Sequence, residues 1–76
     1  MKDIIQILQD IRPEFDFANV RDFFEEGMLD SFDLVTLVSI LDNNFNISIK
    51  GTDILPENFC NVEAISSLLK KYGAKV

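Results

Sequence analysis

The stretch that decides the fold is residues 24–45, which read FEEGMLDSFDLVTLVSILDNNF. Its second half places apolar residues at the i, i+3, i+4, i+7 and i+11 spacing of one helix face, namely Leu34, Leu37, Val38, Leu41 and Phe45. This spacing predicts a helix over about residues 31–44. Asp30 is its predicted N-cap and Asp33 completes a short-chain capping box, because both carboxylates can accept hydrogen bonds from free backbone N–H groups.

Ser31 lies in the first turn of this predicted helix, where we expect its hydroxyl near the surface. The unpaired backbone N–H groups and the positive end of the helix dipole favour an added anion at this position. The position therefore suits a serine that carries a phosphate ester. The alternative is that Asp30 and Ser31 only cap the helix, which is the usual role of these residue types at a helix start.

The composition limits the possible functions. A chain of 76 residues predicts one domain, residues 1–76, with a modest core. The single cysteine, Cys60, excludes an internal disulfide. Without histidine, a zinc site lacks ligands and a nucleophile lacks its usual general base, so we expect neither a metal centre nor an enzyme. No apolar run approaches the roughly 20 residues that span a bilayer, so we expect no membrane-spanning segment. The N-terminal residues do not resemble a signal peptide, so we expect a cytoplasmic protein. We also expect it to be a monomer.

The distribution of charge says more than the net charge of −6, which by itself argues against nucleic acid as a partner. Residues 22–49 contain no Lys or Arg and six acids, namely Asp22, Glu25, Glu26, Asp30, Asp33 and Asp42. This window predicts an acidic face around Ser31 that attracts basic enzyme surfaces. The alternative is an acidic face that is only solvated.

The residues before this stretch predict one more helix and a long, ordered loop. Residues 2–12 form the predicted first helix, which Pro13 ends because proline disfavours helical geometry at the preceding residue. Its predicted buried stripe has Ile7 on its edge and consists of Ile4, Ile5, Leu8 and Ile11. Residues 13–30 are too apolar for a free connector, and a short helical turn over about residues 20–26, closed by Gly27, is predicted within them.

The residues after the stretch complete an all-α fold. Residues 47–49 are predicted to be an extended loop that places its isoleucines in the core. Short helical turns are predicted over residues 51–59, with Phe59 as a core anchor and Cys60 as a small buried residue. The last helix is predicted to begin after Asn61 as N-cap. The predicted architecture is a small four-helix bundle: three main helices, one short helix, and a long loop between the first and second helices.

The order of these features resembles a known family. Residues 25–32, EEGMLDSF, the apolar helix after them, and residues 42–49, DNNFNISI, are together similar to the acyl carrier protein family. That family has Gly-x-x-Asp-Ser followed by Leu or a similar residue, then a helix, then a polar patch before Phe-x-Ile-x-Ile. The resemblance implies a four-helix carrier in which Ser31 receives a covalent 4′-phosphopantetheine arm and Asp30 belongs to the attachment motif.

The resemblance also implies partners and a docking surface. The expected partners are a phosphopantetheinyl transferase, an acyl- or aminoacyl-loading ligase, and acceptor enzymes. The residues predicted to dock them are Phe32, Asp33, Val35, Thr36, Ser39 and Asp42.

Three departures from the fatty-acid carriers bear on the cargo. Phe32 stands where those carriers usually have Leu, Thr36 replaces a frequent acidic residue, and residues 43–44, Asn-Asn, replace part of an acidic cluster. The sequence around Ser31 looks most like that of D-alanyl carrier proteins and other specialised stand-alone carriers. We therefore expect a small or short acyl or aminoacyl cargo, with fatty acyl, D-alanyl, other aminoacyl and polyketide cargoes left open.

A function of another class is also compatible with the residues. The chain could be a non-covalent acidic interaction module that binds a partner helix through Phe32, Val35 and Ile40. In that interpretation Ser31 is only a helix cap. Covalent modification of the chain distinguishes the two hypotheses.

Overall fold

The computed structural model describes residues 3–74 of the chain. Within these residues the fold is all-α and has no strand: α1 spans Ile4–Ile11, α2 spans Ser31–Phe45 and α3 spans Val62–Lys71. Two single 3₁₀ turns, Gly51–Asp53 and Pro56–Asn58, lie where the short additional helix was predicted. The predicted all-α class and the position of α2 are confirmed, and the predicted start of the first helix at Lys2 lies outside the described residues.

Helix α1 packs against both α2 and α3. Its N-cap is Asp3, whose Oδ1 accepts from the backbone N–H of Gln6 at 2.8 Å. The buried face is centred differently from the prediction: Ile7 is fully buried, and Ile5 is half-exposed. The prediction for these two residues was wrong because contact with two helices at once turns the buried face of α1 toward Ile7.

The loop between α1 and α2 is folded over the core. Phe17 and Phe23 are fully buried and pack edge to face, with ring centroids 5.2 Å apart. The predicted helical turn is present as a hydrogen-bonded turn, in which the N–H of Glu26 donates to the carbonyl of Asp22 at 3.0 Å. Gly27 closes this turn with φ +73°, a left-handed conformation that glycine adopts at little cost. The chain then enters α2 from a fixed direction.

The C-terminal part of the chain completes the core. Phe59 is fully buried, as predicted, and the predicted cap of α3 is formed, since Asn61 Oδ1 accepts from the N–H of Ala64 at 2.7 Å. Cys60 is half-exposed, and its Sγ donates to the carbonyl of Glu57 at 3.4 Å. The prediction of a buried Cys60 was wrong because Phe59 alone fills the core position at this turn.

The end of α3 is tied to the first 3₁₀ turn. The hydroxyl of Tyr72 donates to Asp53 and accepts from the backbone N–H of Lys50 at 3.0 Å. This bond from Tyr72 is the main reason that the pKa of Asp53 lies below its ordinary value. Because the same hydroxyl is used twice, residues 50–53 are held against α3.

Candidate functional site

Asp30 and Asp33 cap the start of α2 with two reciprocal hydrogen bonds, as the sequence predicts. Asp30 has an extended backbone, and its Oδ1 accepts from the N–H of Asp33 at 2.9 Å. In return, Asp33 Oδ2 accepts from the N–H of Asp30 at 3.3 Å. The two bonds form a reciprocal capping box that satisfies backbone donors at the helix start. Asp30 and Asp33 thereby fix the backbone on either side of Ser31.

Ser31 is the first residue of α2 and is exposed. Its hydroxyl is therefore accessible to another molecule, and it is a competent acceptor for a phosphoryl-type group once an enzyme removes its proton. A phosphodiester attached here would lie at the positive end of the α2 dipole, which favours negative charge. The residues present thus fit a phosphate-linked arm at this position.

Asp33 has a different environment from the one expected for a docking residue. It is only 5% exposed, and its Oδ2 accepts a hydrogen bond from Arg12 Nε at 2.9 Å, while Nη2 of the same guanidinium forms an ion pair with it at 2.9 Å. A buried carboxylate needs such partners because an unpaired charge in the core is costly. Its carboxylate contacts Arg12 at the end of α1, which gives Asp33 a structural role, and the docking role predicted for it stays a prediction.

Arg12 is the residue of this site that the sequence did not point to. Besides Asp33, its guanidinium lies 3.8 Å from a carboxylate oxygen of Asp30 and 3.8 Å from one of Glu14. Residues 22–49 contain no Lys or Arg, but a cation lies beside them in the structure. Arg12, at the end of α1, contacts Asp30 and Asp33. Asp33 could have indicated the role of Arg12 in the sequence. It lies on the buried side of an apolar helix, where a carboxylate requires a partner from another part of the chain.

The exposed face of α2 is uncharged. Phe32 is 79% exposed and Val35 is 67% exposed, so neither is packed under the long loop. Ser39 is exposed on the same face, and Thr36 is half-exposed, with its hydroxyl donating to the carbonyl of Phe32 at 3.2 Å. The spacing of these four residues places them on one side of the helix.

The remaining predicted docking residue, Asp42, is half-buried at the far end of α2. Its Oδ1 accepts from the backbone N–H of Ile49 at 3.0 Å, and its carbonyl accepts from the N–H of Ile47 at 3.1 Å. Asp42 thus holds the loop after α2 against the core. Among residues 22–49, the exposed acids that precede the helix are Glu25, Glu26 and Asp30. The exposed acids of the window predicted to form an acidic face around Ser31 therefore belong to the loop before α2 and not to the helix itself.

The charge of Asp30 gives the site a measurable pH dependence. The pKa of Asp30 lies below its ordinary value of 3.8, first because the N–H of Asp33 donates to it and then because Arg12 is close. Since its pKa is lowered on folding, Asp30 stabilises the fold at pH values above 3.8, and this contribution is lost as the pH falls through the lowered pKa.

We therefore predict that Asp30→Asn, which keeps a capping oxygen but removes the charge, has a melting temperature that falls less steeply than the parent's between about pH 5 and about pH 2. Thermal denaturation followed by circular dichroism measures this slope. Glu25→Gln is the matched control, because Glu25 is exposed in the preceding loop, and we expect it to follow the parent. Identical slopes for Asp30→Asn and the parent would contradict the stabilising role of this carboxylate.

The other site types receive no support from the described residues. Among residues 3–74, no group of three or more His, Cys, Asp or Glu side chains could hold a metal ion. No helix in that range has both the length and the apolar character to cross a membrane. No family model, curated protein or solved structure matches this chain.

Proposed function

We propose that this protein is an acyl or aminoacyl carrier in which a phosphopantetheinyl transferase esterifies Ser31 with 4′-phosphopantetheine. The observation that supports this most is the exposed Ser31 as the first residue of α2, held between the two members of a capping box. In this proposal the 3₁₀ turns of residues 51–58 take the place of the short helix of a four-helix carrier. The chain itself is not an enzyme and supplies a display site.

The residues around Ser31 have separate tasks in this proposal. The thiol at the end of the arm supplies the chemistry, because it holds the cargo as a thioester. The Ser31 hydroxyl supplies the attachment oxygen, and the N-terminus of α2 stabilises the negative charge of the phosphodiester. Asp30 and Asp33 keep the first turn in place, so that the serine is presented in one position to each partner.

The docking surface in this proposal is the uncharged face of α2. Phe32 and Val35 are the large exposed apolar side chains next to the attachment serine, flanked by Thr36 and Ser39. A transferase, a loading ligase and an acceptor enzyme would each cover this apolar patch, since burying it is favourable by about 25 cal/mol per Å². The exposed acids of the preceding loop would steer basic partners toward it.

The cargo that we propose is small or short, such as an aminoacyl group. Phe17, Phe23 and Phe59 fill the core and have no exposed surface. Such close-packed aromatic side chains leave little room for a long acyl chain between the helices. D-alanine is one cargo of this size, and a short acyl group is another.

Incubation with coenzyme A and a broad-specificity transferase tests the proposal. We expect the intact mass of the chain to increase by one phosphopantetheinyl group, because only one serine has the required environment. Denatured chain serves as the control, since an unfolded Ser31 has no helix start to present it. A parent chain whose mass stays unchanged with several transferases would contradict the carrier function.

That outcome would favour the second candidate, a non-covalent interaction module. The observation in its favour is the exposure of Phe32 and Val35 on one helix face, which an amphipathic partner helix could cover. In this case Ser31 is only part of the helix start.

A further inference from the structure

Arg12 is placed by a rigid element and not by a mobile loop. It is the C-cap of α1, and its N–H donates to the carbonyl of Leu8 at 2.9 Å. Pro13 follows it, and the N–H of Phe15 donates to the Arg12 carbonyl at 3.3 Å. The backbone on both sides of Arg12 is therefore held, and the guanidinium extends from a fixed point toward α2.

The contact of Arg12 with α2 converges on one atom. Nε and Nη2 both lie 2.9 Å from Asp33 Oδ2, the same oxygen that accepts from the backbone N–H of Asp30. Two donors, Nε of Arg12 and the N–H of Asp30, thus hydrogen-bond to one oxygen of a carboxylate that is 5% exposed, and Nη2 of Arg12 lies against the same oxygen as an ion pair. One of these donors comes from α1, and another comes from the residue immediately before Ser31. The oxygen therefore connects the end of α1 to the backbone that carries the serine.

We propose that Arg12 is a positioning residue for Ser31, acting through Asp33. The inference rests on the proposed carrier function, because it concerns how the attachment serine is presented. With Arg12 in place, the buried carboxylate of Asp33 is neutralised and oriented so that it can hold the N–H of Asp30. Without the guanidinium, Asp33 turns toward water, the capping box opens, and the first turn of α2 frays around Ser31.

The geometry requires arginine and not merely a positive charge. The planar guanidinium fixes Nε and Nη2 side by side, each 2.9 Å from one oxygen, whereas the ammonium of a lysine is a point charge on a flexible stem. Arg12→Lys therefore keeps the charge but loses the orientation of Asp33. Arg12→Gln loses both. The two substitutions separate a role of charge near the site from a role in positioning.

The experiment measures kcat and KM for transfer of the arm to the full chain, with coenzyme A and a broad-specificity transferase. Misplacing a reacting group by about 1 Å can cost about 100-fold in rate; since the turn frays only part of the time, we expect Arg12→Gln to lower kcat about tenfold. We expect KM for the carrier to change little, because the docking face of Phe32 and Val35 is retained. Arg12→Lys should give an intermediate kcat, and Glu14→Gln, which removes the exposed partner of Arg12, should match the parent.

A double-mutant cycle with Asp33→Asn shows whether Arg12 acts through Asp33. We expect Arg12→Gln to have almost no further effect on kcat in the Asp33→Asn background. Hydrogen exchange at the amides of Asp33 and Leu34 gives a readout without the transferase, since both amides donate to Asp30. In Arg12→Gln we expect these amides to exchange faster, while the amides of α3 keep the parental rates.

The outcomes distinguish this inference from the function on which it rests. A parent chain that accepts no arm would overturn both. A parent and an Arg12→Gln variant that accept the arm with equal kcat would overturn only the positioning role. The positioning role would also be overturned if Arg12→Gln only raised KM, or if it lowered kcat equally with and without Asp33→Asn. In either case Arg12 would contact the partner directly. If circular dichroism shows that Arg12→Gln is unfolded, kcat of Arg12→Lys is compared with that of the parent instead.

Discussion

Ser31→Ala will gain no phosphopantetheine under conditions in which the parent chain gains one arm. Alanine has no hydroxyl to form the phosphodiester, so we expect the loss to be complete. The fold will remain, because the side chain of Ser31 is exposed and the capping bonds at this helix start come from Asp30 and Asp33. Intact mass spectrometry after incubation with coenzyme A and a transferase measures the result, and circular dichroism shows that the variant is folded.

Ser39→Ala is the matched control for this experiment. Ser39 is also exposed and also lies on α2, but two turns beyond the helix start. We expect it to accept one arm at the parental rate. An arm on Ser31→Ala, or its loss from Ser39→Ala alone, would assign the attachment to another residue.

Phe17→Ala will have the largest effect on stability. Phe17 has no exposed surface and packs edge to face against Phe23 and Phe15, with ring centroids at 5.2 and 6.3 Å. Truncating a buried phenylalanine costs about 3–5 kcal/mol, because apolar contact is lost and a cavity remains. A domain of this size has a free energy of unfolding at the low end of about 5–15 kcal/mol. Urea denaturation followed by circular dichroism will therefore show a variant that is close to unfolded in water.

Phe32→Ala makes the same chemical change on the surface. Because Phe32 is 79% exposed, we expect its free energy of unfolding to stay within about 0.5 kcal/mol of the parent's. We expect the variant to accept the arm more slowly and to be loaded more slowly by a ligase, because Phe32 belongs to the proposed docking face. A Phe32→Ala variant as unstable as Phe17→Ala would show that Phe32 is packed, and a fully active one would remove it from the docking face.

The features that could be predicted from the sequence are those that depend on a few neighbouring residues. The capping box of Asp30 and Asp33, the cap of α3 at Asn61 and the turn at Gly27 are each determined within one helical turn, and the structure has all of them. The length of α2 was predictable within one residue, because its apolar spacing is sustained over four turns.

The features that could not be predicted depend on which elements meet in space. Ile5 and Ile7 flank the stripe of Ile4, Leu8 and Ile11 on opposite edges, and only the positions of α2 and α3 decide which edge is covered. The pairing of Arg12 with Asp33 joins residues 21 positions apart, across a loop whose course is not periodic. For this reason the acids of residues 22–49 lie in the structure mainly in the loop before α2, while Asp33 is buried and paired with Arg12.

The two hydrogen bonds between the long loop and the start of α3 determine when the site is complete. The N–H of Phe23 donates to the carbonyl of Cys60 at 2.6 Å, and Asn61 Nδ2 donates to the carbonyl of Arg21 at 3.0 Å, across 40 positions of sequence. Contacts of such separation form late in folding, because a long segment must be closed before they contribute. On a ribosome, the loop leading to Ser31 therefore stays without these anchors until Asn61 has emerged. A modifying enzyme that reads the folded shape would accordingly meet a finished site only after most of the domain has been synthesised.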